Sequence, residues 1–308
     1  MEQSPYEVGL VGTGVALDRR TQAYDEAGRV AEVALLGQLD GSFSFIGPLR
    51  AWNGGGRFTL HARPDALSPQ VSEVLPGEAL ETVLRRPDGW VWLRTLADGY
   101  LGYGYLAHGR AGWLLDTPPG QNTPPGQTWA VTALRGHVYA GPSIQSARLG
   151  EVGLGAIVWP LEPAGTVPGW RRVAWAGDGG YVAEVILSPL PDDGPADLAL
   201  RLVGTPYVWG GRSGWGLDCS GLTQLVYGAF GQALPRDSDQ QLAALTPVER
   251  PRRGDLAFFP GHVGLMLSAV QMVHANTAAM AVSVQTLGEG EDGDRLQTEL
   301  LGFGRWDR

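Results

Sequence analysis

Short runs of alternating apolar and polar residues fill the first two thirds of the chain, and glycine or aspartate turns separate them. Alternation with a period of two places successive side chains on opposite faces of a strand, so this part predicts small all-β barrels. After Pro195 the period changes. "ADLALRLVG" and "CSGLTQLVYGAF" repeat apolar residues at helical spacing, whereas "HVGLML" and "QMVHAN" alternate and predict a hairpin that turns near residues 268–270.

A weak internal repeat divides the β-rich part. Gly-Glu, Gly-Trp, Asp-Gly and a tyrosine-led strand occur twice in the same order, so that Trp90 matches Trp170 and Tyr100 matches Tyr181. The repeat predicts two barrel domains, at residues 58–116 and 129–188. Residues 1–57 are also β-rich, and we interpret them either as a segment of unknown role or as an extension of the first barrel.

Two breaks separate these units. "TPPGQNTPPGQT" at residues 117–128 can form neither a helix nor a central strand, because proline lacks a backbone donor, and we expect an extended spacer there. "SPLPDDGPAD" at residues 188–197 is the second break, and its Asp193 and Pro195 suit the start of a helix. A last domain therefore spans residues 195–308.

The composition of the chain argues against several classes of function. The net charge of −9 over 308 residues argues against a nucleic-acid partner, and no apolar run is long enough to predict a membrane-spanning helix. One cysteine excludes an internal disulfide and a cysteine-based zinc site. The first twenty residues lack the basic start and apolar core of a secretion signal, which predicts a cytoplasmic protein if the chain has not been trimmed.

The single cysteine, Cys219, lies at the first turn of the helix predicted for "CSGLTQLVYGAF". A lone cysteine is often a small buried core residue. The unpaired N–H groups and the positive dipole end of a helix N-terminus stabilise a thiolate, however, so this position suits a nucleophile better. The neighbouring Ser220 is a weaker candidate, because "GLDCSGL" is not the glycine-x-serine-x-glycine elbow of serine hydrolases.

Two histidines near the C-terminus can serve the cysteine. In the predicted hairpin His274 faces Gly264, diagonal to His262 on the same side of the sheet. The pattern predicts Cys219 as nucleophile, His262 as general base and His274 as the group that orients His262. The backbone N–H of Cys219 is the first oxyanion donor, and the Tyr207 hydroxyl is a candidate for the second.

The motifs of this segment, in their order, resemble the NlpC-type cell-wall cysteine peptidases. The resemblance covers about residues 197–308 and is carried by "TPYVWGGRSGWGLDCSGL", "PRDSDQQ", "RGDLAFF", "HVGLML" and "MVHAN". It implies a papain-like α+β fold with a cysteine-histidine-histidine site and no metal or cofactor. The expected architecture is therefore multidomain, with two small all-β SH3-like barrels followed by a papain-like α+β cysteine peptidase domain.

The barrels extend the resemblance to the YkfC-type subgroup. These enzymes cleave the γ-D-glutamyl–diaminopimelate bond of released murein peptides that have a free N-terminal L-alanine, and a barrel closes one end of their cleft. Matching motifs imply substrate contacts from five residues: Tyr207, Asp218, Ser220, Asp237 and Ser238. Asp218 would pair with the substrate ammonium. Helix capping is the alternative role of Asp218, and likewise of Asp237 with Ser238.

One departure from the subgroup concerns the substrate amine. A glutamate of the first barrel contacts that amine in the subgroup, whereas Pro69 stands near the corresponding position here. Glu73 is a candidate substitute, and Tyr103 is the candidate for an aromatic that reaches the cleft from this barrel.

The expected function is a cytoplasmic cysteine endopeptidase of cell-wall recycling, whose partner is a murein peptide, L-Ala-γ-D-Glu-diamino acid. Several alternatives remain open from the sequence: a secreted hydrolase or amidase acting on intact wall, a related acyl transferase, and a wall-binding protein with an inactive catalytic domain. The pattern gives no indication of the oligomeric state.

Overall fold

A computed structural model describes residues 9–11, 15–107, 110–119, 128–189 and 194–306. Most of the first predicted spacer lies outside this range, as does Asp193 of the second. Within the described residues no helix is long and apolar enough to cross a membrane.

Twelve strands lie among the described residues before residue 120, in the first β-rich part. They are β1 (Gly9–Val11), β2 (Val15–Leu17), β3 (Tyr24–Asp25), β4 (Val30–Glu32), β5 (Ser44–Ile46), β6 (Leu49–Asn53), β7 (Phe58–His61), β8 (Gln70–Val74), β9 (Ala79–Arg85), β10 (Trp90–Thr95), β11 (Leu101–Tyr105) and β12 (Leu114–Leu115). Seven of them form one sheet in the order β12-β6-β9-β10-β11-β7-β8. This sheet wraps around its own core, which includes Phe58, Leu60, Leu80 and Leu93.

Residues 15–46 form a separate small unit on that sheet. Strands β3, β4 and β5 make a three-stranded sheet over a core of Leu17, Tyr24, Leu35 and Phe43. Ala23 packs in a second cluster against Trp92 and other residues of the barrel. Strand β6 belongs to the sheet of the first barrel, whereas residues 15–46 form a unit of their own.

The second β-rich part has six strands and a third core. The strands are β13 (Trp129–Ala130), β14 (Arg135–Tyr139), β15 (Arg148–Gly153), β16 (Ile157–Val158), β17 (Trp170–Val173) and β18 (Gly180–Ala183). Its four-stranded sheet, β15-β14-β18-β17, repeats the order β8-β7-β11-β10 of the first barrel. Trp90 faces Tyr105 and Trp170 faces Ala183, so Tyr181 corresponds to Tyr103 rather than to Tyr100 as the sequence repeat suggested.

The C-terminal domain combines four helices with an antiparallel sheet. The helices are α1 (Pro195–Arg201), α2 (Cys219–Ala229), α3 (Ser238–Ala244) and α4 (Gly290–Glu299). The strands are β19 (Arg212–Ser213), β20 (Gly216–Leu217), β21 (Thr246–Val248), β22 (Leu256–Phe259), β23 (His262–Met266), β24 (Gln271–Asn276), β25 (Ala281–Thr286) and β26 (Gly302–Arg305). Six strands form a sheet in the order β21-β26-β22-β23-β24-β25.

The two faces of this sheet carry different layers. Helices α1 and α2 pack on one face through apolar residues such as Leu198, Leu222 and Val226, as the helical spacing predicts. Leu296 of α4 joins a smaller cluster on the other face. The described residues also include three single-turn 3₁₀ helices, at Val33–Leu35, Ala111–Trp113 and Glu184–Leu187.

Buried polar contacts fix the first barrel to the C-terminal domain. The Arg212 guanidinium donates to Glu78 at 2.8 Å, and the Gln224 amide donates to Asp98 at 2.8 Å. Both Arg212 and Glu78 are buried. A buried ion pair becomes costly when one partner is removed, so loss of Arg212 or Glu78 should weaken this contact between the two units.

Candidate active site

Cys219 is the first residue of α2, where the sequence placed it. Asp218 caps this helix, because its carboxylate accepts the Gly221 backbone N–H at 2.6 Å. Gly221 itself has no room for a side chain, since a Cβ atom there would lie 2.1 Å from the carbonyl oxygen of Gly211. The Asp-Cys-Ser-Gly motif thus combines a cap, a nucleophile position and a close backbone approach.

The Cys219 thiol is buried, with 7% of the residue exposed. Burial and then the neighbouring Asp218 carboxylate raise its pKa to about 12, while the backbone N–H groups of Val263 and Ser220 act in the opposite direction. The helix N-terminus alone therefore does not hold Cys219 as a thiolate near pH 7. For Cys219 to act as a nucleophile, a base must take its proton.

His262 and His274 lie together beside the cysteine. Strands β23 and β24 pair Leu265 with Val273, and the register continues to Gly264 opposite His274, which confirms the predicted hairpin. The His262 Nε2 and His274 Nδ1 atoms are 2.8 Å apart. The Val263 backbone N–H interacts with the Cys219 sulfur, so the sulfur lies beside the residue that follows His262.

Only one pair of tautomers lets His262 act as a base. For its Nδ1 to accept a proton, His262 must carry hydrogen on Nε2 and donate it to His274 Nδ1. His274 then carries its own hydrogen on Nε2, a buried atom without a partner among the described residues. Burial lowers the pKa of His262 to about 4 and that of His274 to about 3, so both imidazoles are neutral near pH 7.

Asp218 is bound by a buried arginine. Arg236 is 1% exposed, and its two terminal nitrogens lie 2.6 and 3.0 Å from the two carboxylate oxygens of Asp218. Arg236 also donates to Ser220 at 3.1 Å and to Ser72 of the first barrel at 3.2 Å. The structure therefore shows the capping role of Asp218, with an internal cation where the sequence argument had placed a substrate ammonium.

Tyr207 lies close to the nucleophile. Its pKa is raised by burial and then by the charges of Cys219 and Asp218, and it lines the same cavity as His262. A hydroxyl in this place suits the second oxyanion donor, next to the backbone N–H of Cys219.

A cavity of about 290 Å³ opens at the cysteine. Cys219, Asp218 and Ser220 line one side, and Asp237 and Ser238 line the other. The structure thus brings four of the five predicted substrate contacts to one cavity, and Tyr207 to the adjoining one.

The far end of this cysteine-side cavity is a charged wall. Asp237 Oδ2 accepts hydrogen bonds from the Tyr100 hydroxyl and from an Arg20 nitrogen, each at 3.1 Å. The same Arg20 nitrogen lies 2.8 Å from Asp239. The wall is therefore assembled from the N-terminal unit, the first barrel and α3, and we call Arg20, Tyr100, Asp237 and Asp239 the end wall.

The candidates chosen from the first barrel were wrong. Tyr103 stacks on Trp92 and lines a different cavity, together with Pro69. Glu73 is buried and bonds to Arg57 and to the Arg212 backbone, so it does not line the cysteine-side cavity. Tyr100 is the barrel aromatic that reaches the cleft.

A second cavity, of about 340 Å³, opens on the other side of the catalytic pair. His262, His274 and Tyr207 line its inner part. Asp292, Arg295 and Glu299 of α4 line its outer part. Gly261 borders both cavities, so they form two halves of one cleft, and we call the second half the histidine-side cavity.

Sequence reasoning missed Arg20, Tyr100, Arg236 and Arg295. Arg236 stands inside the quoted motif "PRDSDQQ", where its position next to Asp237 was the available signal. Arg20 and Tyr100 come from other units, and no local pattern connects them to the site. Among the described residues no group of three or more histidine, cysteine or acidic side chains could hold a metal ion.

Two parts of the chain match known protein families. The NlpC/P60 family model matches residues 204–297, and the model of the bacterial dipeptidyl-peptidase SH3 domain matches residues 60–103. The chain is 30% identical to dipeptidyl-peptidase 6 of Lysinibacillus sphaericus over 248 residues, which are 75% of this chain and 89% of that protein.

Two further similarities are shorter or more distant. The chain is 36% identical over 97 residues to the γ-D-glutamyl-L-lysine dipeptidyl-peptidase of Bacillus subtilis, a match covering 28% of this chain and 33% of that protein. The crystal structure of an NlpC/P60 family protein from Bacillus cereus aligns with a TM-score of 0.68 at 21% identity, over 83% of this chain and 99% of that one. At that identity the structural likeness concerns the fold.

Proposed function

Because the chain belongs to the NlpC/P60 family of peptidases, we propose that it is a cysteine endopeptidase that hydrolyses the γ-D-glutamyl–diamino acid bond of murein peptides with a free N-terminal L-alanine. The observation that carries this proposal is the site itself: a buried thiol at the start of α2 beside a histidine whose Nε2 is held 2.8 Å from a second histidine. The arrangement supplies a nucleophile, a base and an orienting group.

The first step is attack on the γ-carbonyl of D-glutamate. His262 Nδ1 takes the proton of Cys219 as the sulfur forms its bond to the carbonyl carbon, which explains how a thiol of raised pKa can react. The oxyanion accepts hydrogen bonds from the Cys219 backbone N–H and the Tyr207 hydroxyl. His274 holds the hydrogen-bearing Nε2 of His262 and stabilises the imidazolium that forms.

The second step releases the diamino acid and then the acyl group. The imidazolium donates its proton to the departing amine, the C–N bond breaks and a thioester remains on Cys219. A water molecule, deprotonated by His262, attacks the thioester carbonyl. The C–S bond breaks, L-Ala-D-Glu leaves, and the His262 imidazolium returns the proton to the Cys219 sulfur. This order places the acyl part of the substrate in the cysteine-side cavity and the departing amine in the histidine-side cavity.

The end wall supports selection for a free amine. It contributes two carboxylates and one guanidinium, so its net charge is negative, and a substrate ammonium can replace or join Arg20 on Asp237. Hydrogen bonds to charged groups contribute about 1.5–3 kcal/mol, so blocking the amine should reduce kcat/KM roughly 10- to 100-fold. Relatives whose names specify dipeptidyl-peptidases fit a cleft that accepts two residues before the cut.

A free L-alanine amine marks a peptide already released from the glycan. We therefore propose recycling of released peptides, in the cytoplasm, as the process that this enzyme serves. We also propose that the second β-rich part is a second SH3-like barrel, because it repeats the strand order of the first.

The test compares L-Ala-γ-D-Glu-diaminopimelate with its N-acetylated form, and identifies products by mass spectrometry. Release of L-Ala-D-Glu from the free peptide alone supports the proposal. Equal cleavage of both peptides indicates a hydrolase of intact wall with an open cleft. Cleavage of neither contradicts the assigned activity and favours an amidase, a transferase or a binding protein.

A further inference from the structure

The histidine-side cavity has a charged outer wall that the chemistry at Cys219 does not use. Among the described residues that line it, Arg295 is the one permanent cation, and Asp292 and Glu299 are its two carboxylates. All three belong to α4, at positions three and four residues apart, so they face the same side of the helix. The wall therefore presents both signs of charge a few ångströms apart.

The neighbouring carboxylates use only some of the hydrogen-bond donors of Arg295. One terminal nitrogen lies 2.8 Å from Glu299 and the other lies 3.7 Å from Asp292. The guanidinium has five N–H donors in a planar fork, so these contacts leave donors free for another carboxylate. About half of each of the three side chains is exposed, so a ligand in the cavity can reach them.

The departing residue of the substrate must enter this cavity. His262 has to protonate the departing amine, and His262 lines the inner part of the same cavity as Arg295. The charge of Arg295 also contributes to the lowered pKa of both histidines, as expected for groups that line one cavity. Because Asp292, Arg295 and Glu299 line this same cavity, they can contact the side chain of the residue that it holds.

We infer that Arg295 is a specificity-determining residue that binds the side-chain carboxylate of the departing diamino acid, while Asp292 and Glu299 bind its side-chain ammonium. Diaminopimelate carries both groups at the end of its side chain, whereas lysine carries the ammonium alone. The enzyme therefore prefers diaminopimelate over lysine. This inference rests on the proposed function, and it differs from the lysine in the name of the Bacillus subtilis relative.

The experiment uses two peptides, L-Ala-γ-D-Glu-X-amide with X either diaminopimelate or lysine. The terminal α-carboxylate is an amide in both, so the peptides differ only in the side-chain carboxylate. We expect the parent protein to give a kcat/KM about tenfold higher for diaminopimelate, as one charge-assisted contact implies. Arg295→Gln should bring the ratio close to one, mainly by losing activity on diaminopimelate.

The ratio of the kcat/KM values for the two peptides separates a direct effect on substrate binding from an indirect effect on the histidines. If Arg295→Gln changes the basicity of His262, both peptides are affected alike and their ratio is unchanged. Arg253→Gln is the matched control, because Arg253 is a similarly exposed surface arginine in an ion pair with Asp197 and lines neither cavity. It should leave both rates and the ratio unchanged.

A separate double variant tests the two acidic residues, Asp292 and Glu299. Asp292→Asn combined with Glu299→Gln should lower kcat/KM for both peptides by a similar factor, because both carry the ammonium. A parent ratio of one, a preference for lysine, or an unchanged ratio in Arg295→Gln overturns the assignment of Arg295 while leaving the peptidase activity established. If the parent protein cleaves neither peptide, the proposed function itself fails and the inference fails with it.

Discussion

Replacing Arg236 with methionine tests how the site is held together. The guanidinium is 1% exposed and forms a two-bond ion pair with Asp218, the residue that caps the helix of Cys219. A methionine side chain fills part of the volume of the Arg236 side chain but carries no charge. Asp218 would remain buried next to Cys219 with an uncompensated negative charge.

The expected loss of stability follows from that geometry. Breaking a buried ion pair by removing one partner costs about 3–5 kcal/mol. Asp218 keeps the backbone N–H groups of Gly210 and Gly221, at 2.8 and 2.6 Å, so the lower end is expected. A loss of about 3 kcal/mol is a large share of the 5–15 kcal/mol typical of folded proteins, and it corresponds to a decrease in Tm of roughly 10 °C for a domain of this size.

The assay is calorimetric unfolding of three variants alongside the parent protein. Arg236→Met should unfold earlier, whereas Arg253→Met, which removes an exposed ion pair with Asp197, should change stability by less than about 1 kcal/mol. Arg236→Met combined with Asp218→Asn removes both charges and should recover about 1–2 kcal/mol relative to Arg236→Met alone. Peptidase activity should fall in Arg236→Met, because the cap of α2 is disturbed.

Two results would refute this reasoning. If Arg236→Met unfolds within 1 °C of the parent protein, the buried pair does not hold the site. The second result is a double variant that is less stable than Arg236→Met by as much as Arg236→Met is expected to lose. In that case Asp218 contributes through hydrogen bonds that do not depend on its charge.

Three further predictions concern the chemistry. Cys219→Ser should lower turnover roughly 10⁴-fold or more with an unchanged circular dichroism spectrum, and normal turnover would exclude the thiol mechanism. His274→Ala should lower kcat about 100-fold with little change in KM, and His274→Asn, which keeps an acceptor for His262, should restore part of it. Because only neutral His262 is a base and burial lowers its pKa to about 4, kcat/KM should hold as the pH falls from 7 to 5 and decline near 4, with far-UV circular dichroism to check folding. A decline centred near pH 6.5 would contradict the assigned burial of His262.

The sequence predicts the catalytic hairpin and the helix of Cys219 because both rest on local periodicity. Alternation in "HVGLML" and "QMVHAN" sets the register that brings His262 and His274 together, and the structure has that register. Helix α4 was not predicted, because "GEDGDRLQTE" is polar and contains a single large apolar residue, Leu296. Its place on the sheet is decided by that one buried leucine and by tertiary contacts.

The end wall is the part of the site that the sequence predicts least well. The repeat and the family resemblance indicated that a barrel residue reaches the cleft, but the choice between Tyr100 and Tyr103 depends on which face of β11 is turned inward. Tyr103 lies inside that strand and stacks on Trp92, whereas Tyr100 precedes the strand and its hydroxyl donates to Asp237. Arg20 belongs to a unit whose position no local pattern predicts.

The contact between Arg20 and Asp237 joins residues 217 positions apart, and this separation has a consequence for biosynthesis. At the usual 5–20 residues per second, the ribosome adds Asp237 roughly 10–40 s after Arg20. The N-terminal unit and the first barrel can fold in that interval, before the peptidase domain is complete. When the peptidase domain emerges, it folds against a partner surface already in place, so selectivity and activity arise together and an unfinished chain has neither.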